Sequence, residues 1–231
     1  MSDEMVQYEL KEGVAVIRMD DGKANALSHA MLDALASALD KAESDEAGAV
    51  LLMGRPGRFS AGFDLSVMRA GDMAEVQKLV TKGAVLGLRL FEFPVPVVFG
   101  VSGHALAMGA VLCMAVDVRI GIRGDYKLGL NEVAIGMTLP AFALILADER
   151  LSRRHLTRAT AHAEVYSPEA AVDVGYLDWV VDEEALEETA FLHAKSMSEN
   201  LHAKAHHRTK LALRADSAER LRESLEGALS L

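Results

Sequence analysis

The chain of 231 residues holds one cysteine, one tryptophan and five prolines, and only 5% of it is aromatic. A lone Cys113 excludes intrachain disulfides and suits a reducing compartment. It sits in Val111-Leu112-Cys113-Met114 and reads as a core residue. No apolar run approaches the ~18 residues that a membrane span requires. The opening Met1-Ser2-Asp3-Glu4-Met5 has no basic stretch followed by an apolar one, so no signal peptide and a cytoplasmic location are expected. Positive charge is scarce: 24 Lys and Arg stand against 34 Asp and Glu, a formal net charge of −10. That balance argues against nucleic acid or an anionic membrane as partner, and an anionic ligand would need a local basic patch. Repeats, low-complexity tracts and long linkers are also lacking. What the chain does have is apolar content, 51% of residues, enough at this length to bury one sizeable core.

Its pattern alternates strand and helix signals, which argues for an α/β core. Residues 8–10 and 14–19 read as paired strands around the turn Lys11-Glu12-Gly13. Ser28 predicts an N-cap for a helix over 29–43, with Met31, Leu32, Leu35 and Leu39 on one face. A buried strand is expected over 47–54, and a helix with a glycine-loosened middle over 65–91. Pro94 and Pro96 close that helix before a strand at 97–101. A short buried helix over 105–115, a strand over 116–122 and a second short one over 126–128 follow. From Leu139 onward the pattern is almost all helix, with a long final segment over 203–229.

Two glycine-bearing turns carry the chemistry. Phe59-Ser60-Ala61-Gly62-Phe63-Asp64-Leu65 follows the apolar Val50-Leu51-Leu52-Met53, and Ser102-Gly103-His104-Ala105-Leu106-Ala107-Met108-Gly109-Ala110 follows Val97-Val98-Phe99. Each reads as a strand running through small residues into a helix. The first N–H groups of a helix have no partner within it. Two such turns facing one another would form an oxyanion hole, a pair of fixed donors for charge developing on a carbonyl oxygen.

These segments resemble the signature loops of the crotonase superfamily, the enoyl-CoA hydratase/isomerase family. Asn25-Ala26-Leu27 is similar to its early Asn-Ala-Leu segment, and Asp117-Val118-Arg119-Ile120 to its Asp-x-Arg-Ile/Val strand. Residues 166–175 resemble a late Ala-x-x-x-Gly stretch. The resemblance covers nearly the whole chain, with five segments in order. It implies a spiral of ββα units over 1–180, and a helical region over 181–231 that helps to build a homotrimer or a dimer of trimers. It also implies an acyl-CoA thioester as substrate, with no separate cofactor and no metal.

Carried over residue by residue, the resemblance makes the backbone N–H groups of Phe63 and Met108 the oxyanion donors. Leu130-Asn131-Glu132 matches the segment that bears the family's catalytic glutamate, so Glu132 is the expected acid/base. A carboxylate in an apolar stretch is paired or holds its proton to a higher pH, which suits a proton carrier near neutrality. Hydratases of the family carry a second glutamate after the glycine triplet; here Ala107-Met108-Gly109-Ala110-Val111-Leu112 puts Val111 in that place. Valine cannot activate water. Moving a double bond from the 3,4 to the 2,3 position needs only one base, so isomerase is expected ahead of hydratase. A hydratase with an atypical second acid/base, sought at His104 or in 70–82, and a catalytically silent acyl-CoA-binding or assembly subunit are the alternatives.

For substrate and CoA binding the resemblance points to Lys23, Ala24, Ala26, Arg58, Ala61, Asp64, Leu65 and His104. Bland roles compete for several of these: Asp64 as an N-cap, His104 as turn packing. Ser102 reads as a turn residue, since Gly100-Val101-Ser102-Gly103-His104 is not a nucleophile elbow. His202, His206 and His207 have a spacing that could hold a metal but read as a solvated helix face.

Overall fold

The computed structural model describes residues 5–229. Along the first half run β1 (Val6–Lys11), β2 (Val14–Met19), β3 (Ala26–Leu27), α1 (His29–Ser44), β4 (Ala49–Met53), β5 (Gly57–Ser60), β6 (Gly62–Phe63), α2 (Leu65–Arg69) and α3 (Met73–Glu92). Then come β7 (Val97–Val101), β8 (Gly103–Leu106), α4 (Met108–Ala115), β9 (Val118–Ile122), β10 (Leu128–Gly129), α5 (Ala141–Arg150), α6 (Leu156–Ala159) and α7 (Pro168–Val174). The last elements are β11 (Trp179–Val181), α8 (Leu186–Asn200), α9 (Ala203–Leu213) and α10 (Ala215–Leu229).

Six strands form the main sheet in the order β1-β2-β4-β7-β9-β11. Only the β1–β2 hairpin is antiparallel; the other neighbours are parallel. Alternation along each strand divides two cores. Val50 and Leu52 of β4 join a large cluster with Leu35 and Leu39 of α1, Leu90 of α3 and every residue of α4 but Gly109. Ala49, Leu51 and Met53 of the same strand face Leu186, Ala190 and Ala194 of α8 instead. Each such Val or Leu contributes about 1.5–3 kcal/mol by leaving water. Two small parallel sheets, β10-β8-β5 and β3-β6, carry the glycine turns.

The Ser28 cap is present: its side chain accepts from Met31 N at 3.2 Å and opens α1. The expected 65–91 helix is broken. Gly71 takes φ +81°, and Asp72 accepts from Ala74 N (3.0 Å) and Glu75 N (3.2 Å), so α3 begins with its own cap. The expected 105–115 helix starts only at Met108, because residues 103–106 pair between β5 and β10 as strand β8. The short strand expected at 126–128 lies at Leu128–Gly129. Beyond Leu139 the chain is not helix throughout: β11 adds to the main sheet, with Trp179 opposite Ile120. Three residues are too few for a period to register. The final segment divides at Arg214, whose guanidinium turns inward to Phe91 O at 2.6 Å. Ala218 and Leu221 of α10 join the large core.

Candidate active site

The two glycine turns meet main chain to main chain. A Cβ on Gly62, at φ +91°, would stand 2.7 Å from Ala107 Cβ, 3.0 Å from Leu106 O and 3.1 Å from Met108 N. A Cβ on Gly109 would stand 2.6 Å from Ser60 O. Any larger residue at either place would drive the turns apart, so both glycines are demanded by the close approach. Ser60 ties the first turn inward, its Oγ donating to Asn25 O at 2.8 Å and accepting from Gly62 N at 3.2 Å.

Met108 is the first residue of α4, so its amide has no acceptor within its own helix. Ala107 before it holds φ +50° and ψ −126°, a conformation rare for a residue with a Cβ. Such strain costs on the order of 1–3 kcal/mol and collects at functional sites. The Ala107 N–H donates to Gly129 O at 3.0 Å, which fixes the turn against β10. Phe63 pairs opposite Leu27 in the β3–β6 sheet. Its ring lies over α3: a Cβ on Gly83 would stand 2.5 Å from the Phe63 ring and 3.3 Å from Met108 Cε.

Glu132 follows three residues after Gly129, which limits its Cα to within about 11 Å of that strand end. It is 9% exposed, and its Oε2 has no hydrogen-bond partner among the described residues. Burial pushes its carboxyl above the ordinary glutamate range, offset in part by its own backbone N–H. Val111 is 1% exposed in the apolar core of α4, far from any ability to move a proton.

The remaining predicted residues gather around the same turns, and much of their polar capacity is already used. Ala24 O accepts from Ala61 N at 3.0 Å, joining the two segments. Ala26 donates its N–H to Asp21 (3.0 Å) and accepts from Ser28 N (2.9 Å). Lys23 is exposed, and its carbonyl accepts from Arg55 Nη1 at 3.2 Å. Arg58 is exposed with Nη1 on Gly57 O, and Leu65 is exposed at the start of α2. Asp64 caps α2 through Ser66 N at 2.8 Å. His104 is pinned at the β5–β8 pair: its Nδ1 accepts from Lys127 N at 3.0 Å, and its ring meets Tyr126 edge-on. Burial, with Arg58 and Lys127 nearby, lowers its pKa. Ser102 donates to Arg55 O at 2.9 Å as a turn residue. His202 caps α9, and no three His, Cys, Asp or Glu side chains converge as a metal set among the described residues.

Two residues that organise the turns carried no role in the sequence. Asn25 is fully buried at φ +50°, and its Nδ2 donates to Met19 O (3.0 Å), Arg58 O (3.2 Å) and Phe59 O (3.2 Å). Asp21 accepts from the amides of Lys23 (2.7 Å), Asn25 (2.8 Å) and Ala26 (3.0 Å). Burial alone would raise the Asp21 pKa; those three amides and Arg55 bring it below the usual value. An Asn in a left-handed turn was the available signal, since Asn tolerates that conformation.

Known proteins share this architecture. A Mycobacterium tuberculosis protein, solved once as an enoyl-CoA isomerase and once as a probable enoyl-CoA hydratase, superposes with TM-scores of 0.94 and 0.95 at 37% and 38% identity. Those alignments cover 99% and 98% of this chain and 99% and 95% of the other. Human mitochondrial enoyl-CoA delta isomerase 1 is 31% identical over 94% of this chain and 72% of its own length. A Bacillus subtilis probable enoyl-CoA hydratase is 34% identical over 82% of this chain and 75% of its own. The fold is thus the α/β crotonase fold. With a matching profile over residues 9–231, the chain belongs to the enoyl-CoA hydratase/isomerase family, whose relatives named here are enzymes.

Proposed function

We propose that the protein is an enoyl-CoA isomerase that shifts a 3,4 double bond to the 2,3 position. The observation that carries this reading is a single buried carboxyl, Glu132, with an unpartnered oxygen and a raised pKa, in a site where Val111 supplies no second acid or base. Glu132 takes a proton from C2 of the acyl chain. The thioester oxygen of the resulting dienolate accepts from the Phe63 and Met108 amides, and the start of α4 adds its positive end. Glu132 then returns the proton at C4. Fixed donors of this kind are worth about 3–4 kcal/mol each in rate terms. The CoA moiety lies along 23–26 and 58–65, where Lys23 and Arg58 are exposed to meet its phosphates.

The test is a steady-state comparison of 3-enoyl-CoA isomerisation with hydration of crotonyl-CoA. Isomerisation is expected to dominate. Hydration faster than about 10 s⁻¹, the usual median for enzymes, would overturn the use made of Val111 and favour the hydratase reading that the Bacillus relative's name supports. Acyl-CoA binding measured by calorimetry, with no turnover of either substrate, would make the chain a binding or assembly subunit. A trimer or dimer of trimers is part of the same proposal, checked by light scattering. So is a cytoplasmic location; among the described residues no helix is long and apolar enough to cross a membrane.

A further inference from the structure

Helix α4 carries the Met108 amide at its start, and the fold treats its two ends differently. All eight of its residues are buried and none is charged. At the start Ala107 offers no side-chain cap, so the first amides stay open. At the far end the last carbonyls are equally orphaned, and α4 has no basic residue in its last turn to meet them. Arg150, the last residue of α5, meets them from outside. Its Nη2 donates to Val116 O at 2.6 Å, and its Nε leans to Met114 O at 3.5 Å.

The other cations around this helix end are matched by acids. Arg119 Nη2 donates to Asp178 at 2.8 Å, while its Nη1 reaches Val116 O at 3.4 Å. Lys210 and Arg214 share Asp117. Glu149, beside Arg150 in sequence, accepts from Ser217 of α10 instead. Arg150 forms no ion pair among the described residues, and the carbonyls at the tail of α4 are the acceptors of its guanidinium. Its charge is felt within the fold: after burial, it is the largest cause of the lowered Arg119 pKa. Cations are favoured at a helix C-terminus, where they answer its negative end. Eight residues of helix span about 12 Å. A unit charge at that distance, at an effective permittivity of about 20, is worth about a factor of ten in an equilibrium.

We propose that Arg150 is a positioning residue for the oxyanion: its charge, held at the tail of α4, offsets the negative end of the helix and raises the potential at the Met108 amide. The proposal rests on the oxyanion role that the isomerase reading gives to Met108. Arg150 acts through α4 and does not touch the substrate. A neutral thioester gains little from it and the charged dienolate gains most, so it serves kcat and not KM.

The test is the enolisation of bound acetoacetyl-CoA, a β-keto thioester whose enolate bears the same charged oxygen and is read by its ultraviolet absorption. The reading is taken per bound ligand, so it does not depend on how much protein is folded. It is made in the Glu132→Gln background, where that carboxyl does not titrate beside the enolate. Adding Arg150→Gln should raise the pH midpoint of enolate formation by about one unit, a tenfold loss. Arg150→Lys keeps the charge and should stay near the background; Arg150→Met stands in if the glutamine variant fails to fold. With Glu132 in place, Arg150→Gln should lower kcat for isomerisation about tenfold, with KM little changed. An unmoved midpoint in Arg150→Gln, or an equal shift in Arg150→Lys, would overturn the proposal and leave the isomerase reading intact, whatever the melting temperature does. A shifted midpoint without isomerisation by the native protein would uphold Arg150 and strike the isomerase reading. No enolate at any pH would remove the Met108 donor, and the role of Arg150 with it.

Discussion

Asp117 and Glu132 both sit largely out of water, and the fold treats them differently. Asp117 has an 11% exposed side chain whose oxygens accept from Lys210 Nζ (2.7 Å), Arg214 Nη2 (3.0 Å) and Val97 N (2.8 Å). Both cations are themselves buried, at 3% and 8% side-chain exposure, and burial lowers their pKa values against the pull of Asp117. The result ties α9 to the base of β7 and β9. Among the described residues Glu132 has no cation paired with it, and one oxygen is left without a partner. A saturated carboxylate serves as a joint. An unsaturated one is ready to exchange a proton, and it weakens the fold by being there.

The comparison can be broken most sharply at Glu132. Glu132→Gln should cost about 10²–10⁴-fold in isomerisation rate, the usual worth of an acid/base group, while leaving the protein folded. The sign of its pH effect follows from burial. Folded Glu132 holds its proton to a higher pH than the unfolded chain does. Its favourable contribution is complete below the unfolded pKa and is lost as pH rises through the folded one. The Gln variant should therefore gain stability relative to wild type as pH rises above the ordinary glutamate range, measured by thermal melts across the pH scale. The wild-type kcat/KM should rise along an acid limb that lies above the ordinary glutamate range. A full rate in the Gln variant would remove Glu132 from the chemistry.

Asp117→Ala should behave in the opposite way. It strands two buried cations and should cost about 3–5 kcal/mol of stability, read by urea unfolding, with the rate per folded molecule kept. Gly83→Ala tests how the two glycine turns are positioned. The new methyl would press on the Phe63 ring, and a shift of the Phe63 amide should lower kcat by up to about 100-fold with a smaller change in KM. Ser28→Ala is the mildest case. It should remove about 1 kcal/mol of stability through loss of the α1 cap and leave kcat unchanged.

Much of the site was legible because it is written in local turns. The glycine turns and the Ser28 cap follow from short runs of residues, while Glu132 was reached through the family resemblance of Leu130-Asn131-Glu132. Elements whose identity depends on distant partners were misread. Residues 103–106 have the composition of a helix start, yet they are a strand because β5 and β10 flank them. Trp179–Val181 is a strand only because β9 offers an edge. Asn25 was a motif letter until its amide was seen to hold Met19, Arg58 and Phe59 together.

The residues alone determined which groups are available: the amides of two glycine turns, one carboxyl and a valine where a second carboxyl might have stood. Tertiary structure decided their condition. It closed the turns on each other through Gly62 and Gly109, and it buried Glu132 with one oxygen unpartnered among the described residues. The reason is physical. Turn chemistry acts over a few residues, whereas desolvation and charge pairing depend on whatever the folded chain brings near, however far along the sequence it began.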